Sequence, residues 1–469
     1  MKFIDLFAGA GGMSLGFKRS GAELVFANEY DINAATTLKH NMYKLGEIDP
    51  EEKVLVAPIQ LLNETVLDLK INDLPLGLKV ANVNVANQAL KRNLKGAEIE
   101  KLRQLKQKLI AQSVDVIVGG PPCQGFSTVG RGKRGTKEDR LNQFVDDPRN
   151  TLFKHFLGVV EYYKPKVVLI ENVKGLLSAM SYSDQIIDSI SSLDYYIDSK
   201  PLVLRSVDFG IPQNRERVFF VGFLKSYFNP TDDICEQFQS ELNQFKVSES
   251  DKTVLSDAIF DLPKISANHS KNNLSIQNEI PIGDPRSFGE TVSKMKYSEI
   301  VNMSEQSEYV KTINGPNFYH TLKDHKLHNH KSRFQNDRDL KIFKLLAQGK
   351  YMDHKYNKEA KALCEYDTTN FKDKYFKLAY SKPSKTIVAH LSSDNNSFVH
   401  PGRNPRGITP REAARIQSFP DWYEFKGSLA SQFRQIGNAV PPLLAQYLAK
   451  SIQKVIKYQT KSDLPIKGF

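Results

Sequence analysis

Cysteine is scarce in this chain. Only Cys123, Cys235 and Cys364 occur in 469 residues, too few and too scattered for a disulfide framework or a cysteine-based zinc site, so a reducing compartment is expected. Long apolar runs are missing as well. Nothing approaches the roughly eighteen continuous apolar residues of a spanning helix, and Asp5 interrupts the one apolar stretch near the N-terminus, so neither a membrane span nor a secretion signal is expected. Acidic residues fall short of basic ones, 53 against 65, and the formal charge of +12 favours a polyanionic partner without requiring one. No helix-turn-helix or zinc-finger pattern marks where such a partner would bind. A chain this long can bury a large core and is expected to divide into two domains.

Two segments carry chemistry. Residues 114–118 form a short apolar strand closed by Gly119-Gly120-Pro121-Pro122-Cys123-Gln124-Gly125-Phe126-Ser127, in which two prolines hold a thiol rigidly at the edge of a sheet. A thiol attacks as its thiolate, whose pKa of about 8.5 must be lowered by nearby donors or positive charge. The alternative is a small buried hydrophobe in an ordinary turn, but the glycines and charges that follow make a poor apolar site. Near the N-terminus, the strand beginning at Lys2 runs into Phe7-Ala8-Gly9-Ala10-Gly11-Gly12-Met13-Ser14-Leu15 and then a helical pattern. Glycines let the backbone approach a ligand closely, and a helix N-terminus offers amide donors. A second strand, 23–28, delivers Glu29 twenty residues after Gly9, placed to accept hydrogen bonds from two ribose hydroxyls. The ligand is therefore read as a nucleoside derivative. A dinucleotide fingerprint would need a third glycine where Ser14 stands. By itself Gly-x-Gly is weak, and a tight turn without a ligand is the alternative.

Further blocks follow in order: Glu171-Asn172-Val173 after a strand at 166–170, Gln213-Asn214-Arg215-Glu216-Arg217 before a strand at 218–222, Arg406-Gly407-Ile408-Thr409-Pro410-Arg411-Glu412-Ala413-Ala414-Arg415-Ile416-Gln417-Ser418-Phe419-Pro420, and Gln435-Ile436-Gly437-Asn438-Ala439-Val440-Pro441-Pro442. With the glycine loop and Pro122-Cys123, these six blocks resemble those of the DNA cytosine-5 methyltransferases of bacterial modification systems, over most of residues 1–226 and 401–469. The resemblance implies an α/β fold. A Rossmann-like, S-adenosylmethionine-dependent methyltransferase domain, with a mostly parallel sheet and helices on both faces, is expected from 1–226 and 401–469. A smaller, irregular target-recognition domain is expected at 227–400.

The resemblance also implies roles. Cys123 adds to C6 of cytosine, which breaks the ring's aromaticity and makes C5 able to take a methyl group. Glu171 stabilises charge on the base, a role calling for a carboxyl whose pKa is raised by burial; a surface ion pair is the plainer reading of such a residue. Arg215 and Arg217 stand two apart, so an extended segment turns both to one face to bind the base O2 and keep the thiolate region positive, with Arg217 the preferred base contact. Two solvated arginines are the alternative. The cofactor contacts implied are Phe7, Ala8, Gly9, Gly11, Gly12, Ser14, Leu15, Glu29, Tyr30 and Pro121, with Asn438 and Val440 at the methionine end. A helix at 443–455 is expected to return against the first strand. Asp68 is a loose assignment for the adenine contact.

The target base must be turned out of its stack. Behind Cys123, glycines alternate with Arg131, Lys133, Arg134, Lys137 and Arg140, as in a basic lid able to close over phosphate, or in a disordered loop. DNA contacts are placed at Ser127, Arg131, Lys133, Arg134 and Arg149. Before them, Ile99, Leu102, Leu105 and Leu109 have the spacing of a helix packing on the sheet. His320, His325, His328 and His330 crowd together, but without cysteine or paired acidic ligands they suit phosphate contacts or solvated loops better than a metal. Residues 382–389 have the look of a strand leading out of the second domain. The expected partner is double-stranded DNA, with a companion restriction endonuclease, a monomeric enzyme and a bacterial cytoplasmic location. A transfer RNA cytosine-5 methyltransferase and a catalytically silent DNA-binding homologue are the alternatives.

Overall fold

The computed structural model describes residues 1–47, 49–62, 112–122, 151–178, 180–229, 233–267, 301, 305–315, 326–365, 374–403 and 405–462. The chain divides into two compact units. The first takes in Met1–Arg205, Glu216–Lys246 and Leu444–Phe469, the second Ser206–Arg215 and Val247–Leu443. By compactness, residues 401–443 group with 247–400, whereas the motifs assign them to the same function as 1–226.

The first unit is built on one sheet. Its strands are β1 (Lys2–Leu6), β2 (Glu23–Glu29), β3 (Val54–Val56), β4 (Val116–Gly119), β5 (Val167–Val173), β6 (Tyr195–Ile197), β7 (Leu202–Arg205) and, beyond the two-residue β8 (Gln213–Asn214) of the second unit, β9 (Glu216–Leu224). The order is β3-β2-β1-β4-β5-β9-β6, with β7 also paired to β9. Strands β1 to β5 run parallel, and β9 is antiparallel to β5, β6 and β7. The chain winds outward from β1 through β2 to β3 and then lays β4 against the other side of β1. The crevice outside the C-terminal ends of β1 and β4, where this reversal occurs, is where open α/β sheets bind ligands.

The strands read as continuous apolar runs because they are covered on both faces. Val167, Val168, Leu169 and Ile170 are fully buried, and Leu6, Ile117 and Ile170 share a core with Phe156, Val160, Ile186 and Ile190. Helix α1 (Gly12–Arg19) starts at Gly11, whose φ of 82° a side chain would strain, and ends on Lys18 and Arg19, which suit the negative end of the helix. In α2 (Ile32–Lys44), Asp31 caps the first turn by accepting from the Ala34 amide at 2.9 Å. The C-terminal helix spans Pro442–Ser462, longer than the expected 443–455. Gln446 donates to the Arg19 carbonyl and Gln453 to Ser20, so it docks on the end of α1.

Among its described residues the second unit has little sheet: β10 (Lys350–Tyr351) pairs with β11 (Phe376–Lys377), and β12 (Ser384–Lys385) runs parallel to β8. The strand expected at 382–389 is reduced to these two residues of β12. Helix Leu429–Asn438 presses on the backbone that follows, and a Cβ at Gly437 would sit 2.2 Å from the Val388 carbonyl carbon. Helix Pro410–Ile416 opens with a reciprocal capping box between Thr409 and Glu412 and proline in its first turn. Its charged residues are buried. Arg415 is shared by Asp261 and Asp421, Arg406 forks onto Glu412 at 2.8 and 2.7 Å, and Arg411 donates to the carbonyls of His328, Pro420 and Tyr423. This block is a scaffold of paired charges, which is how buried ions are tolerated.

His330 corrects the reading of the histidine cluster as phosphate contacts or solvated loops. It is buried, with Nδ1 3.0 Å from the Thr409 hydroxyl and Nε2 2.8 Å from the Pro263 carbonyl. His328 lies 3.7 Å from Glu424, and His320 and His325 lie outside the described residues. Burial holds the His330 pKa down at about 4. A histidine whose folded pKa lies below the unfolded value near 6.5 contributes stability that is complete above that value and is lost as pH falls toward the folded one. The penalty for His330→Gln, measured by denaturation at pH 7.5, is therefore expected to shrink by about 2 kcal/mol at pH 5. A penalty that stays constant between these pH values would contradict this.

Candidate active site

At the end of β1 the backbone bends sharply: Phe7, Gly9 and Gly11 have φ of 57°, 57° and 82°. The loop is pinned from two sides. Glu29, at the end of β2, accepts from the Gly9 amide through Oε2 at 2.7 Å and from Tyr30 and Asp31 through Oε1 at 2.9 and 2.7 Å. Burial raises the Glu29 pKa against the pull of these amides. On the other side, buried Asp5 accepts from the Ser14 hydroxyl at 2.5 Å, and burial above all lifts its carboxyl to about 7. Asp5 was not singled out in the sequence; its signal was an acid in an otherwise apolar strand nine residues before a serine.

The loop suits a nucleoside. A Cβ at Gly9 would meet nothing within 4 Å among the described residues. Glu29 Oε2 takes one amide and keeps acceptor capacity for a hydroxyl, and the Tyr30 ring beside it is 67% exposed. Ala8, Gly12, Ser14 and Leu15 complete the turn into α1 and are buried.

Strand β4 ends beside this loop, and the chain continues through Gly120, Pro121 and Pro122 to Cys123. The described residues stop at Pro122. Cys123, Ser127, Arg131, Lys133, Arg134 and Arg149 lie outside them, as do Asp68 and the 99–109 pattern. The approach to Cys123 is nevertheless defined. A Cβ at Gly119 would fall 2.2 Å from the Leu6 carbonyl oxygen, and one at Gly120 would fall 2.9 Å from Glu171 Oε2. The first glycine thus lets β4 close on β1, and the second leaves room for a carboxylate.

Glu171 lies within β5, which runs to Val173 instead of stopping at Ile170. In the β5–β9 ladder Glu171 faces Phe219 and Val173 faces Arg217, so Glu171 and Arg217 are diagonal neighbours on one face of the sheet. Arg217 Nε donates to Glu171 Oε1 at 2.9 Å, with side-chain exposures of 14% and 12%. Burial lowers the Arg217 pKa, and the Glu171 charge acts to raise it again. Asn172, on the other face, donates weakly to the Pro121 carbonyl at 3.4 Å and accepts from the Val173 amide at 2.8 Å. Its tie between β5 and the Pro-Pro turn was also missed in the sequence.

A rigid turn leading to a thiol, a partly buried Glu–Arg pair and a nucleoside-shaped loop thus converge at the C-terminal ends of β1, β4 and β5. The family model described as C-5 cytosine-specific DNA methylase matches residues 1–62 and 78–454. The chain belongs to the C-5 cytosine-specific DNA methylase family. This methylase is 31% identical over 468 residues to the type II methyltransferase M.DdeI of Desulfomicrobium norvegicum, covering 96% of this chain and 88% of that protein. It is 32% identical over 505 residues to the type II methyltransferase M.AgeI of Thalassovita gelatinovora, covering 97% and 100%. The crystal structure of a DNA modification methyltransferase encoded within an E. coli prophage matches with a TM-score of 0.60 at 23% identity, over 97% of this chain and 99% of that one, which establishes the shared fold.

Arg215 of the methylase does not follow the expectation that it shares a face and a partner with Arg217. It falls between β8 and β9, where its own amide turns back to the Gln213 carbonyl at 2.9 Å, so the segment is not one extended strand. Its side chain is 1% exposed and donates to the carbonyls of Ile387, Gly437 and Ala439 at 2.8, 3.2 and 3.0 Å. Gln213 beside it binds Gln417 at 2.7 Å and receives the Ile387 amide at 2.6 Å. These two residues knit the second unit together. Asn438, exposed at the end of its helix, and Val440, buried just after it, belong to the same unit.

Proposed function

We propose that this methylase transfers a methyl group from S-adenosylmethionine to C5 of a cytosine turned out of double-stranded DNA, through a bond between the Cys123 sulfur and C6 that breaks again when the C5 proton leaves. The observation that carries the reading is the Glu171–Arg217 pair set against Gly120, three residues before that sulfur. Attack at C6 pushes electron density through the ring toward N3 and O2. Glu171, sharing a proton with N3, takes up part of that charge. Arg217 holds Glu171 in place with one of its five N–H donors and gives another to the Glu216 carbonyl at 2.8 Å; the remainder serve the base O2. The electrons that reach C5 are thus the product of one nucleophile and two charge-stabilising groups.

S-adenosylmethionine supplies an electrophilic methyl group on a sulfonium. Glu29 receives the ribose hydroxyls, Tyr30 offers its ring, and Phe7, Ala8, Gly9, Gly11, Gly12, Ser14, Leu15 and Pro121 form the wall. Asn438 and Val440 are assigned to the same cofactor on their sequence block alone. Ser127, Arg131, Lys133, Arg134 and Arg149 are assigned to DNA on composition. Functionally, 1–226 with 401–469 serves catalysis and 227–400 serves recognition, and the enzyme acts as a monomer alongside a restriction endonuclease in the cytoplasm. No helix among the described residues is long and apolar enough to cross a membrane.

Tritium transfer from labelled S-adenosylmethionine to a mixed duplex DNA, run beside transfer RNA, tests the reading. Counts are expected on DNA alone, at ring C5. Counts on RNA alone would replace the substrate, and counts on neither would favour a silent homologue.

A further inference from the structure

The ladder that positions Glu171 and Arg217 carries charges that the chemistry does not use. Arg217 faces Val173 across β5 and β9, and one step further Glu216 faces Arg205 on β7. Beyond the end of β5, Lys174 turns its ammonium to Glu216 and lies 3.0 Å from both carboxylate oxygens. The pair is 53% and 39% exposed, and Arg205 is exposed too. Glu216 therefore holds one cation, Lys174, and stands in register with a second, Arg205, at the end of the ladder where β5 finishes at Val173.

A structural ion pair in this unit looks different. Glu47, held by Lys18 and Lys53, has a side chain only 7% exposed. An exposed lysine–carboxylate pair adds little stability and is readily exchanged, whereas an ammonium placed on a DNA phosphate releases a condensed counterion. We propose that Lys174 is a DNA-backbone contact held in reserve by Glu216. As the duplex reaches the Glu171–Arg217 site, the ammonium leaves the carboxylate for a phosphate, and Glu216 tempers the affinity by competing for it. The inference depends on double-stranded DNA being the substrate. It requires no particular base sequence, because phosphate contacts are sequence-independent.

The two members of the pair should then have opposite effects, which a pair that merely braces the fold would not show. Binding of the full-length protein to a labelled mixed-sequence duplex is measured by fluorescence anisotropy across a range of salt. Lys174→Gln is expected to weaken binding by about fivefold near 0.1 M salt and to lower the salt slope by about one. Glu216→Gln is expected to tighten binding by about threefold, and Lys174→Arg to keep the wild-type slope. Glu51→Gln, which removes an exposed carboxylate from the Lys39 pair at 2.6 Å, controls for net charge and is expected to leave affinity unchanged. Thermal midpoints confirm folding in each case. The proposal falls if Lys174→Gln and Glu216→Gln shift affinity in the same direction, if neither shifts it, or if Glu51→Gln tightens binding as much as Glu216→Gln. Failure of the wild-type protein to bind any duplex would instead overturn the DNA reading.

Discussion

Cys123→Ala is expected to lower methyl transfer to DNA by at least about 10⁴-fold, because no other group can make cytosine C5 nucleophilic. The carbon is part of an aromatic ring, and its electrons are released only when a bond forms at C6. On the proposed mechanism the Glu171–Arg217 pair cannot replace that step, since both groups answer charge that the nucleophile creates. Binding should survive, because the affinity for a duplex comes mainly from phosphate contacts. The variant is therefore expected to bind mixed-sequence DNA within about threefold of wild type while giving no product. A duplex bearing 5-fluorocytosine, with cofactor present, is expected to leave the wild-type protein joined to the oligonucleotide through sulfur, because the fluorine that replaces the C5 hydrogen cannot depart as a proton. Mass spectrometry of the tryptic peptide containing residue 123 reads the bond directly. Residual transfer by the alanine variant within tenfold of wild type would end the covalent account.

How far the sequence reached depended on how local the cause was. The glycine loop and β1 were legible because the positive φ of 57° at Gly9 and 82° at Gly11 is a conformation that glycine itself permits. Glu29 was legible because the apolar run at 24–27 gives way to Asn28 and then to the acid. Strand β5 was cut short at Ile170 for the converse reason: Glu171 and Asn172 are polar, and only their pairing to Phe219 and Val218 keeps them extended. Asp5 hid because its partner is the Ser14 hydroxyl and its burial comes from the fold. The 382–389 segment reads as a strand until helix Leu429–Asn438 lands on Val388 through Gly437, fifty residues away. His330 looked like one of four surface histidines, and its real partners, Thr409 and the Pro263 carbonyl, lie 79 and 67 residues off.

The two arginines separate these levels most sharply, since the spacing makes them equivalent and the structure does not. Arg217 donates to the Glu171 carboxylate, whereas Arg215 donates to three backbone carbonyls 172 to 224 residues away. Removal of Arg215 leaves those buried carbonyls without their cationic donor, and charged hydrogen bonds of this kind are each worth about 1.5–3 kcal/mol. Arg215→Ala is therefore expected to cost about 3–5 kcal/mol and to lower the thermal midpoint by roughly 10 °C. Lysine will not rescue it, because a single ammonium cannot span the positions that the planar fork reaches. Arg217→Ala is expected to reduce kcat by about 10²–10³ with a much smaller change in midpoint, since the group it deserts stabilises charge that exists only during reaction. Calorimetry and single-turnover kinetics on both variants decide the matter. If Arg215→Ala keeps the wild-type midpoint and loses activity, its guanidinium acts in the chemistry after all, and the division of labour between the two residues fails.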